Sequence, residues 1–226
     1  MANISISLLV EDLDLYPRTG VDPYHVNSMV ETLKVGKTLP PVKVGQVEGA
    51  KSESWTIVDG IHRVRAYRKV NGVEAKIPAI TELYPTKEEM ILDAVRLNAS
   101  HGRALTPQDK TRSIVLLEKA GFQSEVIASA LNLTMEKFNE MKLTRTATYK
   151  DELIPLKQTT MHFAGKELTN RQIEYQEKAG GLHQTFYINQ VISMLEYDAV
   201  DWESEQVVRA LHKLFELLEV ALKVKV

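Results

Sequence analysis

The alternation of apolar and polar positions in ISISLLV at residues 4–10 predicts a strand, and the order of elements after it is equally readable. Residues 22–35 place Val26, Met29, Val30 and Leu33 at helical spacing, with Gly36 following as a stop and Pro40-Pro41 blocking continuation. PPVKVGQV and SWTIV read as two further strands. Asp59-Gly60 then opens a helix over 61–70 that Asn71-Gly72 ends, and AKIPAI supplies a last strand. Strand, helix, strand, strand, helix, strand is a small mixed α/β unit.

From Lys87 onward the pattern predicts helices and no strand. Residues 88–97 form one. Thr106 caps a second that begins at Pro107 and runs to Ala120, with Gly121 after it. In SEVIASALNLTMEKFNEMK, Val126, Ile127 and Leu131 form one apolar face, Asn132 takes a tight turn, and Thr134 caps a helix whose Phe138 and Met141 face back. Ala128 is small where the two helices cross. This is helix-turn-helix spacing. Further helices are expected at 170–179, 184–196 and 201–223. The fold class is therefore α+β: an α/β module over 1–85, a helical region with a helix-turn-helix over 86–150, and a C-terminal helical domain over 151–226.

The last helix carries two adjacent apolar rows: Val208, Leu211, Phe215, Leu218 and Leu222, and beside them Val207, Ala210, Leu214, Leu217 and Ala221. Such a stripe is wide enough for two partners, either within its own domain or on a second copy of the chain. A homodimer through these helices is the expectation, with Leu211, Phe215 and Leu218 at the interface.

Charge narrows the partners. The 226 residues carry 28 Lys plus Arg against 30 Asp plus Glu, a formal net charge of −2, so there is no global basic footprint. Residues 107–150 hold seven basic and five acidic groups, whereas 151–226 hold eight and twelve. DNA contact is thus expected from the first 150 residues, through Thr134, Met135, Lys137, Asn139 and Lys142 of the second helix of the turn motif. Glu136 and Glu140 oppose a strong non-specific grip. The absence of cysteine excludes thiol catalysis, Cys-ligated zinc and disulfides. The N-terminus lacks a basic region and a long apolar run, which reads as neither signal peptide nor membrane span and predicts a cytoplasmic protein. His162 and His183 are too far apart to mark a metal pair, and no metal site is expected.

The densest chemistry lies in Ile57-Val58-Asp59-Gly60-Ile61-His62-Arg63-Val64-Arg65-Ala66. A strand, a glycine and a helix N-terminus followed by His62, Arg63 and Arg65 present amide and side-chain donors to an anion, phosphate above all.

With Tyr16-Pro17-Arg18, GKTLPPVKV, this Gly60–Arg65 segment, Leu97-Asn98-Ala99-Ser100-His101-Gly102 and Leu105-Thr106-Pro107 in one order, the chain resembles the ParB N-terminal family within the ParB/sulfiredoxin superfamily. The resemblance covers residues 4–145. It implies a nucleotide or phosphate site at Arg18, Gly60, His62, Arg63, Arg65, Asn98 and His101, holding CTP or another nucleotide with Mg. It also implies a DNA-binding protein acting in partition or transcriptional regulation. The chain departs from partition proteins at Ile61-His62, where Glu-Arg is usual, and at His101, where an Arg is usual. Its Asn-His-Gly form is more similar to ParB-like proteins of phages and mobile elements. Sulfiredoxin activity needs a cysteine at Ile61 and is excluded. For the serine kinases of the superfamily, Glu31 is the nearest acidic residue to the expected pair. The alternative is an enzyme on the same module, a CTPase-like nucleotide hydrolase, a kinase or a nuclease, with no catalytic residue assigned. A third reading is an adaptor whose C-terminal helices do the work.

Overall fold

The computed structural model describes residues 2–13, 15–18, 20–50, 52–100, 104–179 and 184–223. Two compact units result, Met1–Ala179 and Gly180–Val226.

In the first unit a five-stranded mixed sheet has the order β1-β5-β3-β4-β2, from β1 (Ala2–Ser5), β2 (Leu9–Val10), β3 (Val42–Val47), β4 (Trp55–Asp59) and β5 (Lys76–Tyr84). β1–β5 and β3–β4 pair antiparallel, while β3–β5 and β2–β4 pair parallel. The single strand expected over 4–10 is interrupted by a 3-10 turn at Ile6–Leu8, which lets one segment reach both edges of the sheet. At Gly45 on β3 a Cβ would stand 2.5 Å from the Tyr84 ring, so glycine there permits the close approach of that ring to the strand.

Helix α1 (Pro23–Lys34) starts on Asp22, whose Oδ1 accepts the N–H groups of Tyr24 and His25 at 2.9 and 3.3 Å, and it buries Val26 and Val30. Helix α2 (Ile61–Asn71) packs on the sheet through Ile61, Val64 and Tyr67. Then α3 (Lys87–Ser100) and α4 (Pro107–Lys119) follow, the latter begun by a reciprocal Thr106–Asp109 capping box. Next are α5 (Ser124–Ala130) and α6 (Met135–Arg145), joined through Asn132 at φ +52 and capped by Thr134. Phe138, Met141, Ile127, Ala128 and Leu131 are all buried, as their spacing predicts. One core runs from Val58 and Tyr84 of the sheet through α3, α4, α5 and α6, so residues on both sides of position 85 share it. Lys43 on β3 ties sheet to helix, with Nζ 2.6 Å from Asp93 on α3 and 2.6 Å from Glu82 on β5. Helix α4 also holds the segment before α1. Arg112 donates to the carbonyls of Leu13 (3.1 Å) and Tyr16 (3.5 Å), and the Ser113 hydroxyl donates to that of Pro17 (3.5 Å).

The expectation of no strand beyond residue 87 is corrected at 146–155. There β6 (Thr146–Tyr149) and β7 (Glu152–Pro155) form an antiparallel hairpin around Lys150 and Asp151, both at positive φ (+51 and +64). Primed hairpin turns of this kind are announced by Asn-Gly or Asp-Gly, and Lys-Asp carries no such signal. The unit ends with a 3-10 segment, Gln158–Phe163, and α7 (Asn170–Lys178).

The second unit contains α8 (Gln184–Glu196) and α9 (Glu205–Lys223). No residue of α9 is buried: Phe215 is 66% exposed and Leu222 61%. Burial of its rows inside its own unit, the simpler of the two expectations, is only partial among the described residues: Val207, Val208 and Leu211 are half-buried and the rest of both rows is exposed. Among those residues no helix is long and apolar enough to cross a membrane.

Candidate functional site

β4 delivers the chain to Gly60, whose φ of +108 turns it sharply into α2. A Cβ at this position would meet Val42 Cγ1 and Arg63 Nε, both at 2.9 Å. No side chain caps α2, so the N–H groups of its first turn are available to an anion.

The turn borders a cleft of about 570 Å³ whose walls include Tyr16, Arg18, His25, Asp59, Gly60, His62, Arg63 and Asn98. Of the seven site residues expected from sequence, five meet here: Arg18, Gly60, His62, Arg63 and Asn98. Arg18 comes from the segment held by α4, with Nε 3.3 Å from Asn98 Oδ1. Asn98 on α3 is 6% exposed and donates to the Ala94 carbonyl at 2.9 Å. Arg63 grips its own surroundings, donating to the carbonyls of Pro41 (2.5 Å) and Pro40 (3.2 Å) and to Asp59 Oδ2 (2.5 Å). That guanidinium fastens the 40–41 segment to the turn.

Arg65 is not on the cleft wall. Its Nε and Nη2 fork onto the Glu11 carboxylate at 3.0 and 2.6 Å, and Arg68 reaches the same carboxylate at 3.4 Å. The hydrogen bonds that Arg65 donates to Glu11 hold its pKa above its ordinary value, against the opposing effect of burial. Helical geometry explains the divergence, because positions 63 and 65 lie on different faces of α2. His101 lies outside the described residues, as does His183.

His62 is the polarised member. Its Nε2 accepts the Asp22 N–H at 3.1 Å, which leaves the ring hydrogen on Nδ1, and the His25 ring stands edge-on at 5.0 Å and 73°. Burial, and secondarily the neighbouring His25 and Arg18, push His62 down to about 4. Sequence reading missed Tyr16, His25 and Asp59. Tyr16 is adjacent to the Pro17-Arg18 motif and signalled by it, whereas nothing local marks His25. The Tyr16 hydroxyl is buried without a hydrogen-bond partner among the described residues, and burial raises it to about 12. Among the described residues no cluster of three or more metal-ligating side chains occurs.

On α6 the expected DNA-facing residues divide. Met135, Lys137 and Asn139 are exposed on its outer face with Glu136 and Glu140. Lys137 pairs with Glu140 at 2.7 Å, and the Thr134 hydroxyl is engaged by the Lys137 N–H at 3.2 Å. Lys142 turns inward to Glu118 of α4 at 2.6 Å.

A five-stranded mixed sheet that passes through a left-handed glycine into an uncapped helix defines a small α/β module with an anion-accepting turn. Residues 2–96 match the family model of the ParB N-terminal domain. Over those residues the chain is thus similar to that family, as its motifs imply. The chain is similar in structure to the C-terminally truncated chromosome-partitioning protein ParB from Caulobacter crescentus complexed to the centromeric parS site, at 18% identity over 62% of this chain and 70% of that one, with a TM-score of 0.46. It is also similar to the truncated Caulobacter crescentus ParB complexed with CTP-γ-S, at 19% identity, 63% and 77% coverage and a TM-score of 0.39. A pNOB8-like ParB N-domain follows at 14%, 68% and 52%, with a TM-score of 0.38. No curated protein matches the chain.

Proposed function

We propose that this is a cytoplasmic ParB-like DNA-binding protein, of the phage or mobile-element kind, whose α2 turn holds the phosphates of a nucleotide and whose α6 reads DNA, in partition or transcriptional regulation. The observation that carries the reading is the convergence of Arg18, Gly60, His62, Arg63 and Asn98, from three separate stretches of chain, on one cleft at an uncapped helix N-terminus. The family match over 2–96 supports it.

CTP is the nucleotide that the resemblance implies. Asp59 is committed to Arg63, so a Mg ion accompanying the nucleotide would take its ligands from phosphate and water. Calorimetric titration with the four nucleoside triphosphates, with and without duplex DNA, tests the site. Binding with a preference for CTP is expected, and Arg18→Ala should weaken it by about 1.5–3 kcal/mol, the range for a hydrogen bond to a charged group. Arg18 is the informative choice because Arg63 also holds the turn together. No binding of any of the four would refute the assignment.

For DNA, α5 and α6 act as a helix-turn-helix, with α6 in the major groove. Lys137 and Lys142 would have to leave Glu140 and Glu118 for phosphates; the exposed Lys137–Glu140 pair is worth under about 1 kcal/mol, whereas the Lys142–Glu118 pair is partly buried. With so few cations to neutralise phosphate, affinity should fall only gently with salt. Lys137→Ala with Lys142→Ala should lower affinity for duplexes. Wild-type affinity in that double variant would retire the helix-turn-helix reading. Self-association through α9 completes the proposal.

A further inference from the structure

Two imidazoles face each other on the wall of the cleft. His25 comes from the first turn of α1 and His62 from the first turn of α2, with rings 5.0 Å apart in an edge-on arrangement on the wall of the cleft. Neither is a fixed charge. An arginine at either place would attract phosphate at any physiological pH, whereas an imidazole does so fully only when it carries a second proton.

The structure shows where that proton would go. His62 Nε2 is occupied as an acceptor by the Asp22 N–H at 3.1 Å, so protonation there must break this bond. The ring then turns an Nε2–H outward, and the Asp22 amide is released to donate as well. One internal hydrogen bond becomes two donors at the mouth of the α2 turn. Asp22 also caps α1 through its side chain, so the change is transmitted to the N-terminus of that helix.

We propose that His25 and His62 form a two-imidazole subsite for a phosphoryl group, which binds at the α2 turn together with one proton taken up by His62. The proposal rests on the nucleotide reading above and adds the regulation of that site.

The surrounding charges set the direction. Arg18 from the α4-held segment and Arg65 from the same helix disfavour the proton, as does His25, while Asp22 favours it. Asp59 and Arg63 on the cleft wall offset one another as an ion pair, and Tyr16 in the same wall is neutral. Burial is the largest influence, and His62 in the empty cleft sits near 4 against an ordinary value near 6.5. A dianion beside the ring favours the charged form and raises that value. Between the bound and free values the complex holds one proton more than the free protein. By linkage, affinity must then rise as pH falls.

Sulfate is the probe of choice, because it remains a dianion across this range and contributes no titration of its own. Calorimetry from about pH 8 to pH 5.5 should show sulfate binding tightened roughly tenfold or more, with uptake of close to one proton judged from heats in two buffers. His62→Gln should bind sulfate with no such dependence. His62→Arg should bind it tightly and independently of pH. A far-UV spectrum taken at each pH confirms that the fold persists. Sulfate affinity that is flat with pH, or a dependence that survives in His62→Gln, overturns the proposal and leaves the nucleotide reading standing. CTP binding without sulfate binding overturns it too. No binding of sulfate or CTP at any pH removes both.

Discussion

Gly60→Ala should lower the stability of the first unit by about 2–6 kcal/mol and abolish anion binding at the α2 turn. Two effects add. A residue with a Cβ held at φ +108 costs about 1–3 kcal/mol. The new methyl also lies 2.9 Å from both Val42 Cγ1 and Arg63 Nε. Val42 is fully buried at 0% exposure, and Arg63 is held by two carbonyls and Asp59, so neither neighbour yields without disturbing the sheet or the turn; overpacking of this kind adds about 1–3 kcal/mol. Since the turn aims the first N–H groups of α2, relief of the clash displaces those donors. Urea denaturation alongside nucleotide titration gives the answer, and a variant as stable as the parent and equally able to bind would refute both expectations.

The second large effect concerns α9. Its 19 residues span about 28 Å at 1.5 Å per residue, and Phe215, Leu217, Leu218 and Leu222 are 66, 55, 48 and 61% exposed. Burying a leucine or phenylalanine is worth about 1.5–3 kcal/mol, so a two-fold pairing of these rows would stabilise a dimer well into the range populated at micromolar concentration. The wild-type protein is expected to sediment as a dimer. Replacing Leu211 and Leu218 by Glu should give a soluble monomer with an unchanged far-UV spectrum, since no described α9 residue is fully buried within its own chain, Leu211 being half-buried and Leu218 exposed. Loss of dimerisation should weaken binding to a palindromic duplex far more than to a single half-site. A wild-type chain that sediments as a monomer at micromolar concentration ends the dimer proposal.

What could be read in advance was local. Asp22-Pro23, Thr106-Pro107 and Thr134 cap their helices as their residue types dictate, and Gly36 and Gly121 end theirs at positive φ. The Gly60 turn was legible because a glycine between a strand and a basic helix has few other uses. What escaped were pairings set by distant chain. Arg65 reads as a phosphate ligand until Glu11, 54 residues earlier, takes its guanidinium. Lys142 reads as a DNA contact, and Glu118, 24 residues away, draws it inward. His25 entered the cleft from another helix, a juxtaposition that no spacing within α1 records. The Lys150-Asp151 turn was missed for the opposite reason, because its backbone does what its side chains do not favour.

The three bonds from α4 to the carbonyls of Leu13, Tyr16 and Pro17 close loops of nearly a hundred residues, with separations of 96 and 99. Closing a flexible loop of that length costs about 4 kcal/mol in chain entropy before any contact rewards it. The wall that bears Arg18 is thus among the late parts of the unit to assemble, after the sheet has paired and α4 has docked. A fragment ending near residue 85 would retain the Gly60 turn and lose the side of the cleft facing it. The Gly60 turn is local in sequence, and the pocket around it is a product of the whole first unit.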